Sequence, residues 1–421
     1  MLANKTIKNM PIDDTSSSTL PSDSISTNKE NPNQVNPLVA KVGPVSDVPV
    51  AIQNLRWAML DGDVNTLTFR SMDTLFTTRQ VGHSGPVSIL PREDADMDLT
   101  YSFEGKNYTT NDFLDRTYTN AMLVMKDGKI VYENYLNHMQ PNIRHMGWSM
   151  TKSLVSILVG IAYEEGRIES LDELITLYLP ELSSGAYESV TIRQVLEMTS
   201  GVDYEERYDF IHPGIAAKNH ILALVKNVAR FADTAKTLKR KHTPGTVSEY
   251  KTIDTAVLGV LLEKVLKGEN LSSYMARKIW EPMGMEQNGF FIMDGPPGIG
   301  REFTGAGFNA TLRDWARIGQ LMLNKGEFNG HHIISEKYVD LATRPVLPED
   351  PQSGGYGYQW WTMPNCKAYS AIGLQGQFIF VDPDTKTVIV KLSYFPQEKM
   401  IEAEKEALTF FKKVSHWTPT K

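Results

Sequence analysis

An α+β fold is predicted: an antiparallel sheet flanked by helices, with a mainly helical lobe inserted into the chain. Three observations predict it. β-patterned segments occur near residues 101–135 and return near 356–394, and helical periodicity dominates the stretch between. Strands at both ends of one chain must share a sheet if each is to bury its apolar face, and the helices between them then form a separate lobe. We place a disordered or extended arm at residues 1–50, an α/β lobe at about 51–170 and 325–421, and the helical lobe at about 171–324.

The arm is rich in Ser, Thr, Asn, Asp and Pro and offers too little apolar surface to offset its ordering entropy, so folding is expected to start near Val48–Ile52. Asn54–Asp61 reads as a short helix, and Tyr101–Tyr108 as a small strand pair followed by a helix that Thr110-Asn111-Asp112 caps. Ala121–Met125 and Ile130–Tyr135 flank Asp127-Gly128, a strong two-residue hairpin signal. Next comes Gly147-Trp148-Ser149-Met150-Thr151-Lys152, which turns into an apolar run with helical spacing and ends at Gly166. Thr191 caps a short amphipathic helix. Further helices fit Gly214–Phe231, Thr252–Gly268, Leu271–Ile279 and Leu312–Asn324, a block without convincing strands. Four strands fit Tyr356–Thr362, Cys366–Ile372, Gln377–Val381 and Val388–Tyr394, and Met400–Lys413 closes the chain as an amphipathic helix.

Composition removes several function classes. Hydrophobic content of 41% and charged content of 22% are those of an ordinary globular chain. The net charge of −7 is spread along the sequence, and the basic run 236–241 reads as a solvated helix end, so no nucleic-acid partner is expected. Cys366 is the single cysteine, which excludes an intramolecular disulfide and a Cys-based zinc site. No H-E-x-x-H element is present, and the adjacent pair His331-His332 lacks ligand spacing; neither metal nor cofactor is expected. Residues 295–300 are glycine-rich, yet no Gly-Lys-Ser/Thr follows, so they make a plain connection rather than a phosphate loop. The N-terminus lacks a basic region followed by an apolar core, and the longest apolar run, 154–163, is half a membrane span. No membrane partner and a cytoplasmic location are expected. Oligomeric state is not readable; a homodimer is compatible with the chain.

Chemistry concentrates at Ser149 and Lys152. Residues three apart share a helix face, so the hydroxyl and the amine meet without long-range help. A serine oxygen needs a base to become a nucleophile, and a lysine whose pKa burial lowers can be that base. The free N–H groups and positive dipole end at the helix start favour a developing oxyanion. By itself S-x-x-K also fits an N-capping serine with a surface lysine one turn on.

The order of several motifs makes the chain resemble the serine β-lactamase and penicillin-binding-protein superfamily, in particular its class C-like esterase and amidase branch with the 6-aminohexanoate-dimer hydrolases. After a hairpin come Ser149-Met150-Thr151-Lys152, Tyr178-Leu179-Pro180-Glu181, 191–201, Tyr250-Lys251-Thr252, Gly305-Ala306-Gly307, 311–317 and Ala371-Ile372-Gly373. The resemblance implies a β-lactamase/transpeptidase-like fold and a serine hydrolase of small amide or ester substrates. It assigns Ser149 as nucleophile, Lys152 as holder of its proton, and Tyr250 as the group that protonates the leaving atom and helps activate the deacylating water. The oxyanion hole would be the backbone N–H groups of Ser149 and Leu374. For Tyr250 to work near neutrality, ammonium charge on Lys152 is expected to lower its pKa.

Two departures narrow the substrate. Lys-Thr-Gly of true β-lactamases, whose lysine meets the antibiotic's carboxylate, is here Ala371-Ile372-Gly373, and Thr252 replaces the usual Asn. The amidase branch implies a tyrosine and a carboxylate for a substrate amine, for which Tyr208 and Asp209 are the candidates; a solvated surface loop is the alternative. Thr252, Ile372 and Gly373 complete the expected substrate contacts. Of Trp360 and Trp361, one should be core and the other, Trp361, should face the pocket. The rival functions are a β-lactamase or D-Ala-D-Ala carboxypeptidase, and a catalytically silent binding protein of the same fold. A Ser-His-Asp hydrolase is weaker, because no G-x-S-x-G element occurs.

Overall fold

The computed structural model describes residues 33–348, 350 and 354–420. Its central sheet has seven strands in the order Gly355–Tyr356, Trp361–Thr362, Tyr369–Gly373, Gln377–Asp382, Thr387–Ser393, Thr119–Lys126 and Lys129–Tyr135. Every neighbouring pair is antiparallel. The chain's two ends thus meet in one sheet, where Thr387–Ser393 pairs with Thr119–Lys126. Asp127 and Gly128 both have positive φ, 47° and 79°, the geometry that a two-residue hairpin turn with the right twist requires.

Alternation along the strand Tyr369–Gly373 sorts side chains to two cores. Ala371 packs with the large core beneath the Met150–Glu164 and Leu312–Leu323 helices. Ile372 packs on the opposite face with Phe378 and Phe411, under the closing helix Met400–Ser415. The Met150–Glu164 helix is buried on all sides from Met150 to Ala162, so it runs through the molecule rather than along its surface. Its polar side chains have partners: Ser153 Oγ donates to Gln359 O at 2.6 Å, and Thr151 Oγ1 accepts from Phe308 N at 2.9 Å.

Four expectations are corrected. The 171–324 block contains strands: Gly289–Asp294 pairs with Thr78–Val81, Arg301–Glu302 and Phe308–Ala310, and Phe308–Ala310 pairs with His145–Met146. Gly289–Asp294 is buried throughout, so its apolar run carries no alternation that would reveal it as a strand. Residues 295–300, expected as a connection, join two strands of this second sheet. Residues 356–362 form a tight turn between two short strands rather than one strand, with Gln359 at φ 63°. The helix expected over 214–231 breaks into Ile215–His220, a π-helical turn Ile221–Val225 and a 3₁₀ segment Phe231–Thr237. Of the expected arm, residues 1–32 lie outside the described residues. Residues 33–49 pack instead on the 221–226 turn: Val39 is fully buried there with Ile221 and Val225, and Ser46 Oγ donates to Lys226 O.

Candidate active site

The second sheet delivers Ser149. His145–Met146 pairs with Phe308–Ala310, and the chain then turns, held by Gly147 N–H donating to Phe308 O at 2.9 Å. Gly147 lies against the buried Trp315 ring, which a Cβ would approach to 2.3 Å and which sits in the helix that Thr311 caps. Trp148 adopts φ 47°, a left-handed conformation that costs a residue with a side chain about 1–2 kcal/mol. It is held there by burial and by an edge contact with Phe69 at 5.4 Å. The strained turn places Ser149 at the N-cap of the buried helix.

One turn later Lys152 reaches back. Its Nζ lies 3.1 Å from Ser149 Oγ, 3.1 Å from Thr252 Oγ1 and 2.6 Å from the Gly305 carbonyl oxygen. The carbonyl approaches because residue 305 is glycine: a Cβ there would lie 2.4 Å from Thr252 Cγ2. Lys152 is 1% exposed, and burial pushes its pKa from the ordinary 10.5 down to about 7, against the opposing pull of the Glu206 carboxylate.

Tyr250 closes the third side. The lysine nitrogen lies over its ring, 4.9 Å from the centroid. The phenol is stacked on Trp361 at 5.4 Å and met edge-on by Tyr356 at 6.0 Å. Its hydroxyl is buried and has no well-formed hydrogen bond among the described residues, although the Ser149 hydroxyl acts on it and favours its ionised form. Burial and the negative charge of Glu206 outweigh this and hold its pKa well above the usual tyrosine range. The expected lowering by Lys152 is therefore corrected: burial and the adjacent Glu206 carboxylate both act to raise the Tyr250 pKa.

The remaining candidates divide. Gly373 lies against the Gly147 carbonyl, which a Cβ would approach to 2.2 Å; the end of its strand thus abuts the turn that carries Ser149. Neither the Ser149 nor the Leu374 N–H donates a hydrogen bond among the described residues. Trp360 is fully buried, and Trp361 is half-buried with its ring on Tyr250. Ile372 does not belong to this cleft, because its side chain points to the other core. Asp209 is also turned away: it accepts from the N–H groups of Ile211 and His212 at 3.0 and 2.9 Å and lies near Arg207.

The carboxylate that does reach the centre is Glu206, which sequence reasoning passed over. It accepts the Thr252 N–H at 2.8 Å, the Thr252 hydroxyl, and the Tyr208 hydroxyl at 2.6 Å. The signal was the acidic, aromatic run 203–209 itself; which carboxylate turns inward is decided by tertiary packing. No cluster of metal-ligating side chains occurs among the described residues.

Comparison with known proteins identifies the family and the fold. Residues 113–408 match the family model described as Beta-lactamase. The 6-aminohexanoate-dimer hydrolase of Paenarthrobacter ureafaciens is 30% identical over 298 residues, 67% of this chain and 74% of that protein. Among solved structures, a Bacillus anthracis protein assigned as a 6-aminohexanoate-dimer hydrolase superposes with a TM-score of 0.74 at 23% identity, covering 85% of this chain and 95% of that one. A family VIII carboxylesterase gives 0.53 at 17% identity, over 69% and 95%. No helix of the described residues is long and apolar enough to cross a membrane.

Proposed function

This chain belongs to the beta-lactamase family, and on that premise we propose that it hydrolyses linear amides or esters through an acyl-enzyme on Ser149, with Lys152 and Tyr250 moving the protons. The observation that carries the proposal is a buried lysine amine 3.1 Å from a serine hydroxyl at the start of a helix, with burial lowering the amine's pKa to about 7. The neutral amine takes the Ser149 proton as the oxygen adds to the carbonyl carbon. The N–H groups of Ser149 and Leu374 receive the oxyanion. As the C–N or C–O bond breaks, the leaving atom takes a proton from Tyr250, and the lysine ammonium restores it. Water then repeats the sequence on the acyl-enzyme and releases the acid. Tyr250 acts as a proton donor, because its site favours the phenol over the phenolate.

Linear substrates are favoured over β-lactams for two reasons. The position of the family's carboxylate-binding lysine is occupied by Ala371. The cleft wall is aromatic, with Trp361 and Tyr356 beside Tyr250, and the relative at 30% identity is a 6-aminohexanoate-dimer hydrolase. The test is fluorophosphonate labelling together with a panel of short p-nitrophenyl esters, linear 6-aminohexanoate dimer and nitrocefin. We expect labelling of Ser149 and turnover of esters and dimer. Nitrocefin as the best substrate would reassign the chain to the β-lactamase branch, and an unlabelled, inactive protein would make it a silent binding module.

A further inference from the structure

We propose that Glu206 and Thr252 form a positioning pair that aims the lone pair of the Lys152 amine at the Ser149 hydroxyl. The proposal rests on the assignment of Lys152 as the base, and it concerns how that base is oriented.

The argument is one of donors and acceptors. An ionised carboxylate only accepts hydrogen bonds, and a threonine hydroxyl has a single proton to give. That proton goes to Glu206, whose grip on Thr252 is doubled by the backbone N–H at 2.8 Å. Tyr208 donates to the same carboxylate at 2.6 Å, so Glu206 is fixed by three donors. Thr252 Oγ1 therefore meets Lys152 as an acceptor, at 3.1 Å. Gly305 O, at 2.6 Å, is also an obligate acceptor. A neutral amine has two N–H bonds and one lone pair. With both N–H bonds claimed, the lone pair is left for the third neighbour, Ser149 Oγ at 3.1 Å. Without Glu206, the Thr252 hydroxyl is free to rotate and give its own proton to the amine, which would occupy the lone pair that catalysis needs.

The charged and titratable surroundings are few. Tyr250 lies against Lys152, and Glu206 is the carboxylate that acts on it. Tyr204 and Tyr208 flank Glu206 as phenols. Asp254, in the Thr252–Val265 helix, also feels Glu206; it is bonded to Tyr187 and Ser200, lies near Lys251, and is raised to about 6 by burial.

The experiment is the pH profile of kcat/KM on a p-nitrophenyl ester for the wild type, Glu206→Gln, Thr252→Val and Thr252→Ser, with near-UV circular dichroism to confirm folding. Glu206→Gln and Thr252→Val are expected to lower the plateau about 10- to 100-fold, the scale of a misaligned catalytic group. Thr252→Ser keeps the hydroxyl and should stay within about threefold of wild type. Loss of the negative charge in Glu206→Gln should also move the acidic limb to lower pH, because Lys152 then deprotonates more easily. Thr252→Val retains the charge and should move the limb less. The limb shift follows from the lost charge alone, so positioning is read from the plateau and from rescue by Thr252→Ser, which a merely structural role would not single out. The proposal is overturned if Glu206→Gln keeps the plateau of wild type, wherever its limb lies, or if Thr252→Ser is as impaired as Thr252→Val. Should Glu206→Gln not fold, the Val and Ser pair decides. If the wild type itself is not labelled at Ser149, the assignment of Lys152 as base fails first; a labelled wild type with unaffected variants overturns the positioning pair alone.

Discussion

Two regions face each other across Ser149, and they are built on different principles. On one side, Ser149 and Lys152 sit one turn apart at the start of a helix buried from Met150 to Ala162. Their separation is a property of helix geometry and survives any change in the surrounding loops. On the other side, Glu206 and Tyr208 come from a loop without regular structure, and Trp361 from a two-residue strand. Their positions hold only through contacts made at a distance in sequence, such as Glu206 with Thr252 and Trp361 with Tyr250. The comparison teaches that the catalytic centre is carried by parts of unequal rigidity: the helix side is set locally, while the loop side depends on long-range contacts that only the completed fold supplies.

Substitutions can sharpen or break that comparison. The largest effect is expected on the helix side: Ser149→Ala should abolish fluorophosphonate labelling and lower ester kcat by about 10⁴-fold or more. Lys152→Met should be nearly as damaging to activity, yet should raise Tm by about 2–4 °C near pH 7, because it removes a cation from the interior. The sign follows from the lysine's pKa, about 7 when folded against an ordinary 10.5. Between those values the unfolded chain holds a proton that the folded chain lacks, so wild-type stability rises with pH across the window. The advantage of Lys152→Met should accordingly be full below pH 7 and fade as pH rises toward 10.5. The same pKa predicts that wild-type kcat/KM falls as pH drops below about 7.

Next in size is Gly373→Ala, whose methyl would meet the Gly147 carbonyl at 2.2 Å and push the strand end from the Ser149 turn. About a 100-fold loss in kcat with retained labelling is expected. Loop-side changes should be smaller and should discriminate between substrates: Trp361→Ala removes the ring stacked on Tyr250 and should cost about 10-fold in kcat/KM, unequally across the ester panel. The smallest kinetic effect is expected from Ile372→Val, at less than about 2-fold with a loss of about 1 kcal/mol in stability, because that side chain serves the opposite core. An equal kinetic penalty for Ile372→Val and Gly373→Ala, measured side by side, would break the two-sided picture.

What was legible in the sequence follows the same division. The hairpin at Asp127-Gly128, the buried helix after Ser149 and the sheet shared between the chain's ends rest on local signals: turn residues, periodicity and order along the chain. The strand Gly289–Asp294 was missed because burial on both faces removes the alternation that announces a strand. At the site, the proximity of Ser149 and Lys152 was readable from spacing alone. Glu206 was not: residues 203–209 offer Asp203, Glu205, Glu206 and Asp209, and only the packing of Tyr208 and Thr252 decides which turns inward. Ile372 was placed in the cleft with Gly373 because a motif was read as a block. The pleat sends neighbouring side chains to opposite faces, and only one of the two can look at Ser149.

The strand order has a consequence for how the molecule is made. Thr119–Lys126 lies between Lys129–Tyr135 and Thr387–Ser393, so one edge of this hairpin stays open until residues 387–393 have left the ribosome. Gly373, which abuts the turn that carries Ser149, also emerges late. A nascent chain stalled between residues 149 and 387 would hold the nucleophile but no completed sheet behind it, exposing an unpaired β-edge to its neighbours. Synthesis speed and chaperone supply, rather than equilibrium stability, should then govern how much active protein a cell obtains.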